Sequence, residues 1–168
     1  MYVNNISELA ADLVRKATER GIMIATAESC TGGLLSAAIT SISGSSAIFD
    51  CGFITYSNKA KTEILGVPPS LIAEYGAVSE NVAKAMAIGA KQHSCGANIA
   101  ISITGIAGPG GGSETKPVGL VWVAINFYDK IYTFENFFSG NREEIRAQSV
   151  CFCLITFLQL LADVNRAS

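Results

Sequence analysis

The chain has 168 residues, enough for one hydrophobic core and one domain spanning 1–168. Hydrophobic residues make up 49% and charged residues only 15%, which argues against intrinsic disorder. A net charge of -2 gives no electrostatic footprint for nucleic acid or an anionic membrane, so neither is expected as a partner, although a local basic pocket stays open.

Cys30, Cys51, Cys95, Cys151 and Cys153 are odd in number and form no paired CxxC motif of zinc spacing. The single histidine, His93, leaves no multi-histidine metal site and reads as a helix-end residue without a catalytic part. No metal or other cofactor is expected. The start, MYVNNISELAADLVRK, lacks the layout of a signal peptide, and CFCLITFLQLLA near the end is shorter than a bilayer span. A cytoplasmic location with reduced thiols is the expectation.

Asn5 and Glu8 have capping-box spacing, and Leu9, Leu13, Val14 and Ala17 then recur at helical spacing up to Gly21. Residues 22–27 (IMIATA) are apolar throughout and predict a buried strand. Gly32 and Gly33 precede a buried helix, LLSAAITSIS, that ends near Gly44. FDCGFITYS (49–57) predicts a second strand, with Asn58 capping a short helix over 59–65. Pro68 and Pro69 open a further helical turn closed by Gly76, and Ser79 caps a helix running toward His93.

NIAISIT (98–104) predicts a third buried strand, followed by the glycine-rich loop GIAGPGGGSETKPVG. The strands LVWVAINF and IYTFENFF flank a hairpin turn at Tyr128-Asp129-Lys130. Asn141 and Glu144 repeat the capping-box pattern before a long C-terminal helix. The order α-β-α-β-α-α-β-β-β-α predicts a mixed, mostly parallel sheet covered by helices. A mixed α/β domain this small with an exposed last strand favours a homo-oligomer, with a dimer preferred.

Four segments carry candidate chemistry. Glu28-Ser29-Cys30-Thr31-Gly32-Gly33 joins a buried strand to a buried helix. Free N–H groups at such a helix start hold a phosphate or an oxyanion, with Ser29 at the carboxyl edge of the sheet. Equally, Ser29 or Thr31 is an ordinary cap. Cys30 stands out among the cysteines because it adjoins Ser29 at that position.

In Thr55-Tyr56-Ser57-Asn58-Lys59-Ala60-Lys61, a desolvated lysine supplies the base that the histidine count does not, with Tyr56 as a proton relay. The alternative is a solvated lysine and an edge tyrosine. The loop from Thr104 to Gly119 offers backbone donors at Gly105 and Gly108, or else it is a surface loop or dimer contact. Arg142 and Arg146, one helical turn apart after Ser139-Gly140-Asn141, form either an anion site or exposed arginines beside a cap.

Taken in order, AESCTGG, GSSAIF, TYSNKAK, GAVSE, SITGIAGPGGGSETKPVG and FSGNREEIR resemble the CinA C-terminal family, especially its stand-alone nicotinamide mononucleotide deamidases. The resemblance runs from about Glu8 to Leu161. It implies a three-layer α/β/α sandwich and hydrolysis of a pyridine nucleotide carboxamide without a metal. It also implies Ser29 as nucleophile, Tyr56 and Lys61 as its activating pair, and Thr104 and Arg142 as ligand contacts. Cys30, Thr31, Gly32, Gly33, Gly105, Gly108 and Arg146 complete the expected binding set. A non-catalytic nucleotide-binding or regulatory module is the alternative.

Overall fold

The computed structural model describes residues 2–164. The first helix, α1 (Tyr2–Glu19), begins before Asn5, which therefore lies inside it rather than capping it. Ile6 and Leu9 pack against the core from within this helix. Its end behaves as read. Ile22 N donates to Ala17 O and Gly21 N to Thr18 O, closing a Schellman turn with Gly21 at φ 62°.

Five strands, β1 (Ile24–Glu28), β2 (Phe49–Ile54), β3 (Ile99–Gly105), β4 (Leu120–Phe127) and β5 (Lys130–Phe137), form one sheet in the order β2-β1-β3-β4-β5. β1 pairs parallel with β2 and β3, whereas β4 is antiparallel to both β3 and β5. Four strands thus run in one direction and β4 against them. Between the strands lie α2 (Leu34–Thr40), α3 (Asn58–Leu65), α4 (Pro69–Tyr75) and α5 (Glu80–His93), with α6 (Arg142–Val164) after the hairpin. The Pro69 segment is a full helix, and Ser57 rather than Asn58 caps α3, its Oγ accepting from Ala60 N at 3.0 Å. The second capping box forms as expected, with Glu144 N donating to Asn141 Oδ1 and Asn141 N to Glu144 Oε2.

The two faces of the sheet carry different side chains because residues alternate sides along a strand. Ile24, Ile99, Ile101, Ile103, Val121, Val123 and Ile125 join the core with α1, α2 and α6. On the reverse face Ala25, Ala27, Ala100 and Ala124 meet α5. Small side chains let that helix lie close: Ser102 Oγ, fully buried, donates to Ala83 O at 2.6 Å. The result is a three-layer α/β/α sandwich. By length and composition α6 is apolar enough to cross a membrane. Its Val150, Cys153, Leu154, Phe157 and Leu161 are instead buried in this protein's own core, which accounts for the hydropathy.

Candidate functional site

Parallel pairing of β1 with β2 brings two strand-to-helix junctions side by side. Glu28 lies opposite Ile54, and Thr55 N donates to Glu28 O at 2.9 Å, so residues 29–33 and 55–61 leave the same sheet edge together. Lys61 reaches back from α3, its backbone fixed by Lys61 N donating to Ser57 O and by Val67 N donating to Lys61 O. Its amine lies 3.0 Å from Ser29 Oγ, and it donates to the carbonyls of Thr55 (2.9 Å) and Tyr56 (3.2 Å). Lys61 is only 1% exposed. Burial holds its pKa below the ordinary lysine value, against a smaller opposing effect of Cys30. A neutral lysine has two N–H groups and one lone pair. In that state the two carbonyls would occupy both N–H groups and leave the lone pair for the serine proton, whereas a protonated amine has a third N–H that donates to Ser29 Oγ.

Helix packing sets this distance. A Cβ on Gly89 of α5 would fall 2.0 Å from Leu65 O at the end of α3, so glycine is what lets α3 seat against α5. Leu65 and Lys61 share α3, and its position therefore fixes where the amine arrives.

Glu28, fully buried, changes the reading of the helix start. Its carboxylate accepts from Gly33 N (3.1 Å), Leu35 N (3.0 Å), Ser36 N (2.8 Å) and Ser36 Oγ (2.6 Å). Those α2 donors are therefore taken by a carboxylate one residue before Ser29, and they do not stand open to a ligand. Ser29 sits in the preceding turn, where Gly32 N donates to Ser29 O at 3.0 Å. The main-chain N–H groups of Cys30 and Thr31 donate to no other described residue. This role of Glu28 is missed by sequence reading, because its bonds run to the N–H groups of Gly33, Leu35 and Ser36, beyond the spacing of a local cap.

Ser29, Cys30, Tyr56, Lys61, Thr104, Gly105, Gly108 and Arg142 line one open cleft of about 270 Å³. Asn58, Ala77, Val78, Ile106 and Ala107 complete its walls together with Gly110 and Gly111. Thr31, Gly32, Gly33 and Arg146, all expected at the ligand, are not among the lining residues; Thr31 is buried, Gly32 is exposed, and Arg146 lines a neighbouring pocket with Leu34 and Arg142. Thr104 is present, but its hydroxyl donates to Ala77 O at 2.8 Å. Gly108 (φ 77°) has Val118 2.6 Å from where a Cβ would lie. Its carbonyl accepts from Arg142 at 2.8 Å.

Tyr56 meets Lys61 only through its main-chain carbonyl. Its exposed phenol accepts from Arg142 at 2.8 Å and makes no hydrogen bond to Ser29 or Lys61. No carboxylate among the described residues pairs with Arg142, so its charge is free at the cleft mouth. Burial pushes the Cys30 thiol up to about 11, which keeps it protonated and removes it as a competing nucleophile at neutral pH. His93 lies outside the cleft, its Nδ1 2.8 Å from Gly89 O. Among the described residues no group of three histidine, cysteine or acidic side chains is arranged to hold a metal ion.

The family model of the CinA C-terminal domain matches residues 6–161. The chain is 48% identical over 160 residues to the nicotinamide-nucleotide amidohydrolase PncC of Enterobacter agglomerans, covering 95% of this chain and 97% of that one. It is 45% identical over 160 residues to the protein of the same name from Shigella flexneri, covering 95% and 96%. The crystal structure of the competence/damage inducible protein CihA from Agrobacterium tumefaciens superposes with a TM-score of 0.90 at 46% identity, over 92% of this chain and 94% of that one. The chain belongs to the CinA C-terminal domain family.

Proposed function

We propose that the chain is a nicotinamide-nucleotide amidohydrolase: it converts nicotinamide mononucleotide and water to nicotinate mononucleotide and ammonia, a step of pyridine nucleotide recycling. The observation that carries the reading is the 3.0 Å approach of the buried Lys61 amine to Ser29 Oγ inside a ligand-sized cleft. The substrate is supported by the names of relatives that align along nearly their whole length.

Lys61, neutral, takes the Ser29 proton as Oγ attacks the carboxamide carbon. The tetrahedral oxyanion is held by the N–H of Cys30, the residue that follows the nucleophile and lines the cleft. Lys61 then passes the proton to the departing nitrogen, and ammonia leaves an ester on Ser29. Water attacks that ester, gives a proton to Lys61, and the proton returns to Ser29 as the carboxylic acid departs. No metal enters any step.

Arg142, unpaired at the mouth, suits the substrate phosphate. It also holds the Tyr56 ring, which offers an apolar wall to the pyridine. Cytosolic placement suits the substrate and fits five cysteines, none of which forms a disulfide.

A coupled ammonia assay over nicotinamide mononucleotide, its riboside and unrelated small amides tests the assignment. Turnover confined to, or strongest with, the mononucleotide is expected. Binding without ammonia release would make the cleft a nucleotide-binding module instead.

A further inference from the structure

Ser29 stands on a turn that ought to be loose. Gly32 and Gly33 follow it with φ of 60° and 97°, and paired glycines have the widest conformational freedom of any residues. The turn is nonetheless held peptide by peptide. The plane joining Thr31 to Gly32 is fixed at both ends, because Arg146 Nη2 donates to Thr31 O at 3.0 Å while Gly32 N donates to Ser29 O. The next plane is fixed through Gly33 N by the buried Glu28. The guanidinium is delivered from α6, whose start is locked by the Asn141–Glu144 box and whose Ile145 is buried. Arg146 Nε is itself buried with no partner, a desolvation cost that this single carbonyl contact does not obviously offset. Such costs persist where a geometry is being enforced.

We infer that Arg146 is a positioning residue that clamps the Ser29 turn from behind, with Glu28 as the opposite jaw, and does not bind substrate. The inference deepens the proposed amidohydrolase reading and rests on it. The clamp keeps Oγ at hydrogen-bond distance from Lys61 and keeps the free Cys30 and Thr31 N–H groups in place. Releasing it lets the Ser29 turn drift while the rest of the cleft lining, of which Arg146 is not part, stays in place.

The experiment compares wild type, Arg146→Ala and Arg146→Lys in ammonia release from nicotinamide mononucleotide, with circular dichroism to confirm folding. Misplacement of this kind costs roughly 10²-fold, which should fall on kcat with KM changed less than about twofold. Millimolar ethylguanidinium should restore part of kcat in Arg146→Ala and none in Ser29→Ala. Arg146→Lys, which keeps one donor, should lie between wild type and alanine; if the alanine variant does not fold, the same kcat-against-KM split is read on the lysine variant. A raised KM at unchanged kcat would make Arg146 a substrate ligand, and unchanged kinetics would leave it a bystander; either overturns the inference. Wild type that releases no ammonia defeats the amidohydrolase reading instead. The clamp is then judged by amide exchange at Gly32, which accelerates in Arg146→Ala if the inference holds and is unaltered if it does not.

Discussion

Replacing Lys61 with methionine removes the amine while keeping a chain of similar length in a site that is 1% exposed. Two opposing effects act on stability. The buried Thr55 carbonyl loses a donor at 2.9 Å, an orphaned acceptor worth about 1–3 kcal/mol, and the desolvation burden of an amine is lifted at the same time. Net change should stay within about 2 kcal/mol, so the variant folds. Catalysis has no such compensation: loss of a general base lowers the rate about 10²–10⁴-fold, or roughly 3–5 kcal/mol in the barrier.

The pH profile separates the base role from a packing role. Burial lowers the Lys61 pKa, so kcat/KM of wild type should rise with pH along a limb centred below the ordinary lysine value of 10.5, and that limb should vanish in Lys61→Met. Stability shifts with the same sign. Between the lowered folded pKa and the ordinary unfolded one, the unfolded chain binds the extra proton, so the contribution of Lys61 to stability improves as pH rises. Lys61→Met should therefore gain on wild type toward lower pH in urea titrations. A variant that keeps more than a tenth of wild-type kcat, with the limb intact, would refute the base assignment.

Gly89→Ala should destabilise despite the better helix propensity of alanine, because its Cβ would lie 2.0 Å from Leu65 O and force α3 outward. A loss of about 1–3 kcal/mol in denaturant melts, together with reduced kcat as Lys61 moves, is expected; a neutral or stabilised variant would contradict the packing argument. A homodimer is expected from the open sheet edges at β2 and β5, where Ile54, Ile131 and Phe137 are exposed. Light scattering at assay concentrations that returned only monomer would remove it.

Much of this architecture was legible because its signals are local. The apolar run over 22–27, Gly21 at a helix end, and the Asn141–Glu144 box each act within a few residues. The Asn5–Glu8 box has the same pattern but marks no start, since the chain is already helical from Tyr2. The site is harder because it depends on sheet order. Ser29 and Lys61 meet only when β2 pairs parallel beside β1, and periodicity does not state that neighbour. Arg146 and Tyr56 show the same limit: residue type predicted an anion ligand and a proton relay, whereas tertiary direction turned one guanidinium to Thr31 O and the phenol to Arg142.

The most direct measurement is ammonia release from nicotinamide mononucleotide by wild type and Ser29→Ala under identical conditions. If the alcohol beside Lys61 attacks the carboxamide, the variant stays folded and its kcat falls by at least about three orders of magnitude. A folded Ser29→Ala protein that releases ammonia within tenfold of the wild-type rate would contradict the account.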